Sequence, residues 1–312
     1  MLAKVKQITT PLDKRVICIS DIHGYLDLFK RLLAKVKFND KDILVILGDF
    51  YTKGQTGQNH ETLKYIMELS ERKNVYVLRG NCDRIEDYLT EEEKTWIENL
   101  PHIIESNEYI FVHGGIESEN LDQQIAINCM DNDAFMEKGL IFKRYVITGH
   151  WPCFNYTHQI PCFNPIINEK QKIIAIDGGI IPKSDMGQLN AFMIENQKFS
   201  FTFLDDLPKI VINKDQQETC SDILTITWND RHVEVVEKGE VFSLYKHLAS
   251  GKLMTLPNHG EFIDFNGDLG QPSFGTNYYL PVRAGDIVSV VASFGNRIYA
   301  KKDGIVGWID LD

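Results

Sequence analysis

The sequence has no long apolar run, few cysteines and no surplus of positive charge. No window approaches about 18 uninterrupted apolar residues, the length that a membrane-spanning helix needs. The N-terminal residues 1–7 run directly into charged sequence and lack the apolar stretch of a signal peptide. Six cysteines in 312 residues are too sparse for a disulfide scaffold. These absences predict a cytoplasmic protein with reduced thiols and no membrane partner.

The balance of charges excludes one class of partner and leaves another open. Lys and Arg number 33 against 44 Asp and Glu, which gives a net charge of −11. Sequence-independent binding of nucleic acid requires clustered cations, so nucleic acid is not an expected partner. Carboxylates are, however, common ligands of metal cations. Hydrophobic residues make up 43% of the chain, which is enough for the cores of about two domains.

The first two thirds of the sequence alternate between short apolar runs and helical patterns. Phe29, Leu32 and Val36 recur at helical spacing, and Thr90 with Glu93 forms the capping box that begins another helix. Nearly continuous apolar strands separated by helices are typical of an α/β domain with a buried sheet. The strands predicted between the helices are 16–20, 43–47, 75–78, 109–112, 145–148 and 173–176.

The last third of the sequence predicts only β-structure. A hairpin over 189–204 ends the α/β pattern, and the polar residues 206–221 indicate a linker. The expected domains are therefore 1–205, the linker, and a small all-β barrel over 222–312. Its predicted strands are 223–227, 233–236, 286–292, 297–301 and 305–309, with two-residue hairpin turns at Gly295-Asn296 and Asp303-Gly304.

Polar residues follow five of the six predicted strands of the α/β domain. In open α/β sheets, ligands bind at the carboxyl ends of the strands, so we expect these groups to meet at one edge. Glycine flanks each of them, which suits tight turns and close backbone approach. The candidate metal ligands are Asp21, His23, Asp49, Asn81, His113 and His150.

These six side chains form a mixed oxygen and nitrogen donor set that suits manganese, iron or zinc. A single ion rarely needs six protein ligands, whereas two ions that share a carboxylate need about this number. Two ions about 3.5–4 Å apart can clamp a phosphoryl group for in-line displacement. The residues alone therefore indicate a two-metal centre that acts on a phosphate ester.

The order of the motifs resembles that of the calcineurin-like metallophosphoesterase superfamily. Asp-x-His-Gly, Gly-Asp, Gly-Asn, His-Gly-Gly and Gly-His occur in this order, each after a strand. His-Gly-Gly and the segment Gly149-His150-Trp151-Pro152 are most similar to the phosphoprotein (Ser/Thr) phosphatase branch. The resemblance covers residues 13–205. It implies an α/β fold with a β-sandwich core flanked by helices, in four layers α/β/β/α.

The resemblance also implies a role for each ligand. Hydroxide held between two divalent ions would attack phosphorus, and Asn81 would also orient the phosphate. Manganese is the expected metal, with iron or zinc as alternatives. Asp49 would bridge the two ions. The first ion would be held by Asp21 and His23, and the second by Asn81, His113 and His150.

Two segments depart from the phosphatase pattern. The usual Gly-Asp-x-x-Asp-Arg-Gly ends here in Thr52-Lys53-Gly54, so Lys53 and the downstream Arg79 are the candidate phosphate contacts. The usual Gly-Asn-His-Glu reads Gly80-Asn81-Cys82-Asp83, which lacks the histidine that normally assists the leaving oxygen. A buried, inert thiol is the alternative interpretation of Cys82. The candidate catalytic residues are Asp49, Asn81, Cys82 and Asp83.

Three hypotheses for the function follow. The first is hydrolysis of a phosphomonoester, on a small molecule or a phosphoprotein. The second is hydrolysis of a phosphodiester or dinucleoside polyphosphate, because Gly-Asn-Cys-Asp is similar to small phosphodiesterases of the superfamily. The third is a catalytically silent binding protein. It draws on the C-terminal segment 281–309, which resembles bacterial SH3-like barrels and is a candidate for peptide binding or self-association.

Overall fold

The computed structural model describes residues 1–51, 58–181, 186–218, 221–258, 263–266, 269–272 and 275–311. The chain divides into two compact units. The first comprises Met1–Cys153 and Phe163–Asp206, and the second comprises Phe154–Cys162 and Leu207–Asp312. Residues 154–162, which the sequence analysis assigned to the first domain, therefore belong to the second unit. Within the described ranges, no helix combines the length and the hydrophobicity that a membrane span requires.

The first unit alternates strands and helices, as the sequence pattern predicts. Its helices are α1 (Leu26–Lys35), α2 (Asn59–Ser70), α3 (Glu91–Asn99) and α4 (Ala126–Met130). Its strands are β1 (Val5–Gln7), β2 (Val16–Ile19), β3 (Ile43–Ile46), β4 (Val75–Val77), β5 (Ile103–Glu105), β6 (Tyr109–Val112), β7 (Tyr145–Thr148), β8 (Ile166–Asn168), β9 (Ile173–Ala175), β10 (Leu189–Glu195) and β11 (Lys198–Leu204).

Two sheets of the first unit face each other across a shared core. One has the strand order β1-β5-β6-β7-β9-β8, and the other has the order β11-β10-β2-β3-β4. Side chains of a strand point alternately to its two faces. Val16 and Cys18 of β2 accordingly share a core with Phe111 of the opposite sheet, whereas Ile17 lies in the core on the helical side. The predicted α/β fold is confirmed.

Helices α1, α2 and α3 cover the outer face of the five-stranded sheet. Phe29 and Leu32 of α1 are fully buried in the same cluster as Ile17 and Leu44. Helix α3 begins with the predicted capping box, in which the Thr90 hydroxyl accepts a hydrogen bond from the Glu93 backbone N–H. The Glu93 carboxylate in turn accepts one from the Thr90 N–H. These contacts fix the helices against the sheet whose strand ends carry the candidate site.

Parallel pairing brings the candidate ligands to the strand ends. β2, β3 and β4 are mutually parallel, and so are β6, β7 and β9. The carboxyl ends of parallel neighbours lie at the same edge of a sheet. The segments that follow β2, β3 and β4 in one sheet therefore start side by side, as do those that follow β6 and β7 in the other.

The described residues of the second unit form three small sheets, so the single barrel expected from the sequence is not confirmed. The sheets have the orders β12-β20-β21-β22, β13-β19 and β16-β15-β14-β18-β17. The predicted linker 206–221 also contains a strand. The strands are β12 (Lys209–Val211), β13 (Thr225–Ile226), β14 (Val233–Glu237), β15 (Phe242–His247), β16 (Leu253–Pro257), β17 (Ile263–Asn266), β18 (Leu269–Pro272), β19 (Gly275–Thr276), β20 (Ile287–Phe294), β21 (Arg297–Lys302) and β22 (Ile305–Asp310).

Candidate metal centre

The six predicted ligands meet at the carboxyl ends of five strands. Asp21 and His23 follow β2, Asp49 follows β3, and Asn81 follows β4. His113 and His150 follow β6 and β7. All except Asn81 and His150 are at least nine-tenths buried, although they are polar or charged. Groups of this kind are rarely buried unless they are paired or hold a metal.

The backbone at this edge adopts a conformation that most residues avoid. Asp21, His23, Asp49 and His150 have positive φ angles of 57°, 47°, 51° and 65°. A non-glycine residue in the left-handed region is uncommon, and such strain clusters at functional sites. Four strained residues among six candidates indicate that the fold sustains this arrangement for a purpose other than stability.

Asp49 lies between the two halves of the cluster. Its Oδ2 is 3.8 Å from His23 Nε2, and its Oδ1 is 3.4 Å from His113 Nε2. On the His23 side, Asp21 Oδ1 is 3.7 Å from the same Nε2. One carboxylate thus offers one oxygen to each side, which is the arrangement that a ligand shared by two ions requires.

The second half of the cluster is built around the Asn81 side-chain oxygen. Asn81 Oδ1 lies 3.0 Å from His113 Nε2 and 3.0 Å from His150 Nδ1. Bonds of about 2.1 Å at right angles to one another place adjacent ligand atoms about 3 Å apart. The three atoms therefore have the separations of neighbouring ligands of one divalent ion.

A backbone carbonyl fixes the orientation of His113. Its Nδ1–H donates a hydrogen bond to Leu47 O at 2.8 Å, since a carbonyl can only accept. Nε2 is then the ring nitrogen that faces Asp49 and Asn81. An outer hydrogen bond of this kind is what sets the tautomer of a metal-ligating histidine.

The electrostatic potential at the strand ends that carry the cluster is negative, as the pKa of His113 shows. Burial lowers the pKa of His113, but the charges of Asp49 and Asp21 outweigh it and raise that pKa to about 10. Burial opposes ionisation of Asp49 as well, yet His113 and His23 hold its pKa below the usual range. The same negative field attracts divalent cations. Carboxylate, imidazole and amide donors are ligands that Mn²⁺, Fe²⁺ and Zn²⁺ accept, so the residues fit the expected ions.

Asp83 anchors the loop of Asp49 rather than facing the cluster with free oxygens. Its carboxylate accepts hydrogen bonds from the backbone N–H groups of Asp49, Phe50 and Gly80, at 2.8, 3.0 and 2.7 Å. Gly80 is required here because a Cβ at this position would lie 2.0 Å from Asp49 Oδ1. Asp83, a predicted catalytic residue, therefore contacts the backbone of both the loop that carries Asp49 and the turn that carries Gly80.

The Cys82 thiol faces the cluster. Its sulfur, a His23 nitrogen and an Asp49 carboxylate oxygen all lie within 4.8 Å of one another, and the Cys82 N–H donates to Asp49 at 2.8 Å. Burial, followed by the charges of Asp49 and Asp83, raises the pKa of the thiol well above its usual range. A protonated thiol is a poor nucleophile. Cys82 therefore lies beside the cluster, and the raised pKa of its thiol is consistent with the alternative interpretation of an inert thiol.

Of the two candidate phosphate contacts, Arg79 and Lys53, the structure describes Arg79. Arg79 Nε donates to the Asp83 carbonyl at 3.2 Å, so the guanidinium braces the turn that carries Asn81. Lys53 lies outside the described residues. Asp177, in the turn after β9, accepts a hydrogen bond from the Gly179 N–H at 2.7 Å.

Two acidic residues beside the cluster were not predicted. Asp131 and Asp133 lie beyond α4, and their carboxylate oxygens are 3.6 and 3.0 Å from His150 Nε2. Neither residue follows a strand, so the search for polar residues at strand ends does not identify them. The only signal in the sequence is the short pattern Asp131-Asn132-Asp133.

Comparison with known proteins reveals relatives of stated activity. Over 66 residues, 21% of this chain, it is 44% identical to the symmetrical bis(5'-nucleosyl)-tetraphosphatase of Buchnera aphidicola subsp. Acyrthosiphon pisum (strain Tuc7). The aligned part is 23% of that relative, so the chain spans about a quarter of the length of the curated relatives it matches.

Solved structures and a family model extend the comparison. A crystal structure provisionally described as a diadenosine tetraphosphatase superposes on 65% of this chain and 99% of its own, with a TM-score of 0.51 and 19% identity. A protein serine/threonine phosphatase from Saccharomyces cerevisiae covers 66% of this chain and 85% of its own, with a TM-score of 0.46 and 14% identity. The model of the family described as Calcineurin-like phosphoesterase matches residues 14–218. Because that match covers more than half of the sequence, the chain belongs to the calcineurin-like phosphoesterase family, whose members are hydrolases of phosphoric esters.

Proposed function

We propose that this protein is a phosphoesterase that depends on two divalent metal ions. The observation that carries the proposal is the placement of Asp49, whose two carboxylate oxygens face His23 on one side and His113 on the other. When bound, such ions lower the pKa of water and neutralise charge on a phosphoryl group. The remaining chemistry is supplied by the residues of the chain.

Each candidate ligand has a role in this proposal. Asp21, His23 and Asp49 hold the first ion, and Asp49 also contributes to the second. Asn81 contacts the phosphate through its amide N–H groups, since its Oδ1 already faces His113 and His150. Asp83 keeps the Asp49 backbone in its strained turn by accepting three N–H groups. The full second set of ligands is Asp49, Asn81, His113 and His150.

The identity of the residue after Asn81 determines the class of substrate. An alkoxide leaving group, as in a phosphoserine, needs a proton from a general acid. Cys82 occupies the position of the usual acid, and a thiol, with an ordinary pKa of about 8.5, is a weaker proton donor than an imidazolium. A phosphate or nucleotide leaving group departs without such help. We therefore favour a phosphoanhydride or activated diester, and the relatives named as tetraphosphatases support a dinucleoside polyphosphate.

A phosphomonoester is the second candidate. The His113-Gly114-Gly115 motif and the Gly149-His150-Trp151-Pro152 segment are similar to those of phosphoprotein phosphatases. The candidate substrate contacts Lys53 and Arg79 would serve either class, since both bring positive charge toward phosphate. Manganese is the metal we expect, with iron or zinc as alternatives, in a cytoplasmic enzyme.

A direct comparison of substrates tests the proposal. Diadenosine tetraphosphate, bis-p-nitrophenyl phosphate and p-nitrophenyl phosphate are supplied to the full chain with and without Mn²⁺. We expect Mn²⁺-dependent hydrolysis in which the tetraphosphate has the highest kcat/KM. Faster hydrolysis of p-nitrophenyl phosphate would favour the monoester. No hydrolysis of any substrate by protein with bound metal would favour the silent binding protein.

A further inference from the structure

The His150 ring contacts two different groups with its two nitrogens. Nδ1 faces Asn81 Oδ1 at 3.0 Å, on the side of the proposed second ion. Nε2 lies 3.0 Å from the Asp133 carboxylate, on the opposite side of the ring. Both partners are oxygen acceptors, and the charged carboxylate accepts the stronger hydrogen bond. Nε2 therefore carries the proton, and Nδ1 presents a lone pair on the side of the proposed ion. This is the tautomer that a metal ligand bound through Nδ1 requires.

The loop that carries Asp133 is fixed by the backbone of the His-Gly-Gly motif. Gly114 N–H donates a hydrogen bond to Cys129 O at 2.6 Å. A Cβ on Gly114 would lie 2.9 Å from Met130 O and 3.0 Å from Asn132 N, so only glycine permits this approach. The residue that follows the ligand His113 thus holds the acidic loop beside the ligand His150.

We propose that Asp133 is a positioning residue for the second metal ion, and this inference rests on the proposed function. Asp133 accepts the Nε2 proton of His150 and thereby fixes both the tautomer and the ring orientation. The neighbouring Asp131 lies 3.6 Å from the same nitrogen, beyond hydrogen-bond distance. Asp131 therefore contributes negative charge but does not set the tautomer.

The three histidines of the cluster support this assignment because their outer partners differ. His113 donates to the backbone carbonyl of Leu47, which a side-chain substitution cannot remove. Buried His23 Nδ1 has no hydrogen-bond partner among the described residues. His150 is thus the histidine whose outer hydrogen bond can be deleted at an exposed residue, since the Asp133 side chain is 65% exposed.

The test measures metal affinity rather than activity. Mn²⁺ is titrated calorimetrically into the wild-type full chain and into three variants: Asp133→Ala, Asp133→Glu and Asp131→Ala. Loss of an outer carboxylate typically weakens metal binding about 10–100-fold. We expect that loss for one of two ions in Asp133→Ala, partial recovery in Asp133→Glu, and a change below about threefold in Asp131→Ala. Both positions are exposed, so thermal unfolding of all three variants is expected to be unchanged.

A second readout follows the tautomer itself. Ring ¹⁵N shifts of His150 in chelator-treated protein are expected to report protonated Nε2 in the wild type and a mixture of tautomers in Asp133→Ala. Unchanged affinity and tautomer in Asp133→Ala, or an equal loss of affinity in Asp131→Ala, would overturn the inference while two ions still bind the wild type. Fewer than two ions in the wild type would overturn the proposed function together with this inference.

Discussion

Two histidines of the first unit are equally buried and opposite in electrostatic character. His113, 0% exposed, follows β6 and is surrounded by Asp49 and Asp21, which raise its pKa to about 10. His102, 1% exposed, precedes β5. There burial, with the charges of Arg79 and Lys4, lowers its pKa to about 4. Burial alone therefore does not make a functional histidine. The charges that the fold places beside the ring decide whether the site attracts a cation.

The hydrogen bonds of the two rings reinforce this difference. Lys4 N–H donates to His102 Nδ1 at 2.9 Å, so the neutral ring is part of the contact between the N-terminal segment and β5. His113 instead donates outward to Leu47 O and directs Nε2 at Asp49.

The largest effect is expected from Asp49→Asn, which removes the charge that distinguishes His113 from His102. Loss of the shared carboxylate removes several kcal/mol of transition-state stabilisation, which corresponds to at least about a thousandfold loss of kcat. The fold is expected to persist, because an amide oxygen can still accept the Cys82 N–H. Steady-state kinetics with Mn²⁺, alongside circular dichroism, checks both statements. Activity equal to that of the wild type would contradict the proposed mechanism.

The second-largest effect is expected on the free energy of unfolding, and it comes from the titration of His102. The unfolded chain takes up a proton near pH 6.5, whereas folded His102 takes one up only near pH 4. Acid therefore favours the unfolded state, and the stability due to neutral His102 is lost as the pH falls from 6.5 to 4. The difference of 2.5 pKa units corresponds to roughly 3 kcal/mol.

Replacement of His102 by asparagine isolates this contribution. The Asn side-chain oxygen can accept the Lys4 N–H but does not titrate, so His102→Asn is expected to lose less stability in acid than the wild type. Urea unfolding at a series of pH values, in the presence of a chelator, measures the difference. Parallel stability curves for the two proteins would show that His102 is not the acid-sensitive group.

A smaller change, in the preference between substrates, is expected when a histidine replaces Cys82 beside the metal-ligand cluster. Cys82→His restores the residue type that usually assists the leaving oxygen, and general acids contribute about 10²–10⁴-fold. We expect the ratio of p-nitrophenyl phosphate to bis-p-nitrophenyl phosphate hydrolysis to rise at least about tenfold. An unchanged ratio would mean that position 82 does not determine substrate class.

The smallest effect is expected from Cys82→Ser. The backbone N–H that contacts Asp49 is retained, and a hydroxyl replaces a thiol that is protonated. We expect kcat/KM within about threefold of the wild type, because no nucleophile is lost. Cys162→Ser, at a half-buried cysteine of the second unit, is the matched control. Complete loss of activity in Cys82→Ser alone would restore a catalytic role for the thiol.

The sequence predicts the strands and their polar ends well, because buried parallel strands are almost continuously apolar and their ends are marked by glycine. Strand β15 was missed for a physical reason: its inward face carries Ser243, Tyr245 and His247, while Leu244 lies half-buried on the other face. The usual alternation of hydrophobic buried residues and polar exposed residues is therefore not visible in this part of the sequence. Asp133 was missed because it reaches His150 through a loop, and a loop contact leaves no periodic signal.

We propose that the cluster of Asp21, Asp49 and the three ligand histidines binds two divalent ions. The most direct measurement is the bound Mn²⁺ per chain after equilibrium dialysis of the wild type, His113→Asn and His102→Asn. We expect about two equivalents of bound Mn²⁺ for the wild type and for His102→Asn. For His113→Asn we expect a clear loss of bound Mn²⁺. Clearly fewer than two equivalents in the wild type, or an equal loss in both variants, would contradict the proposed two-metal centre.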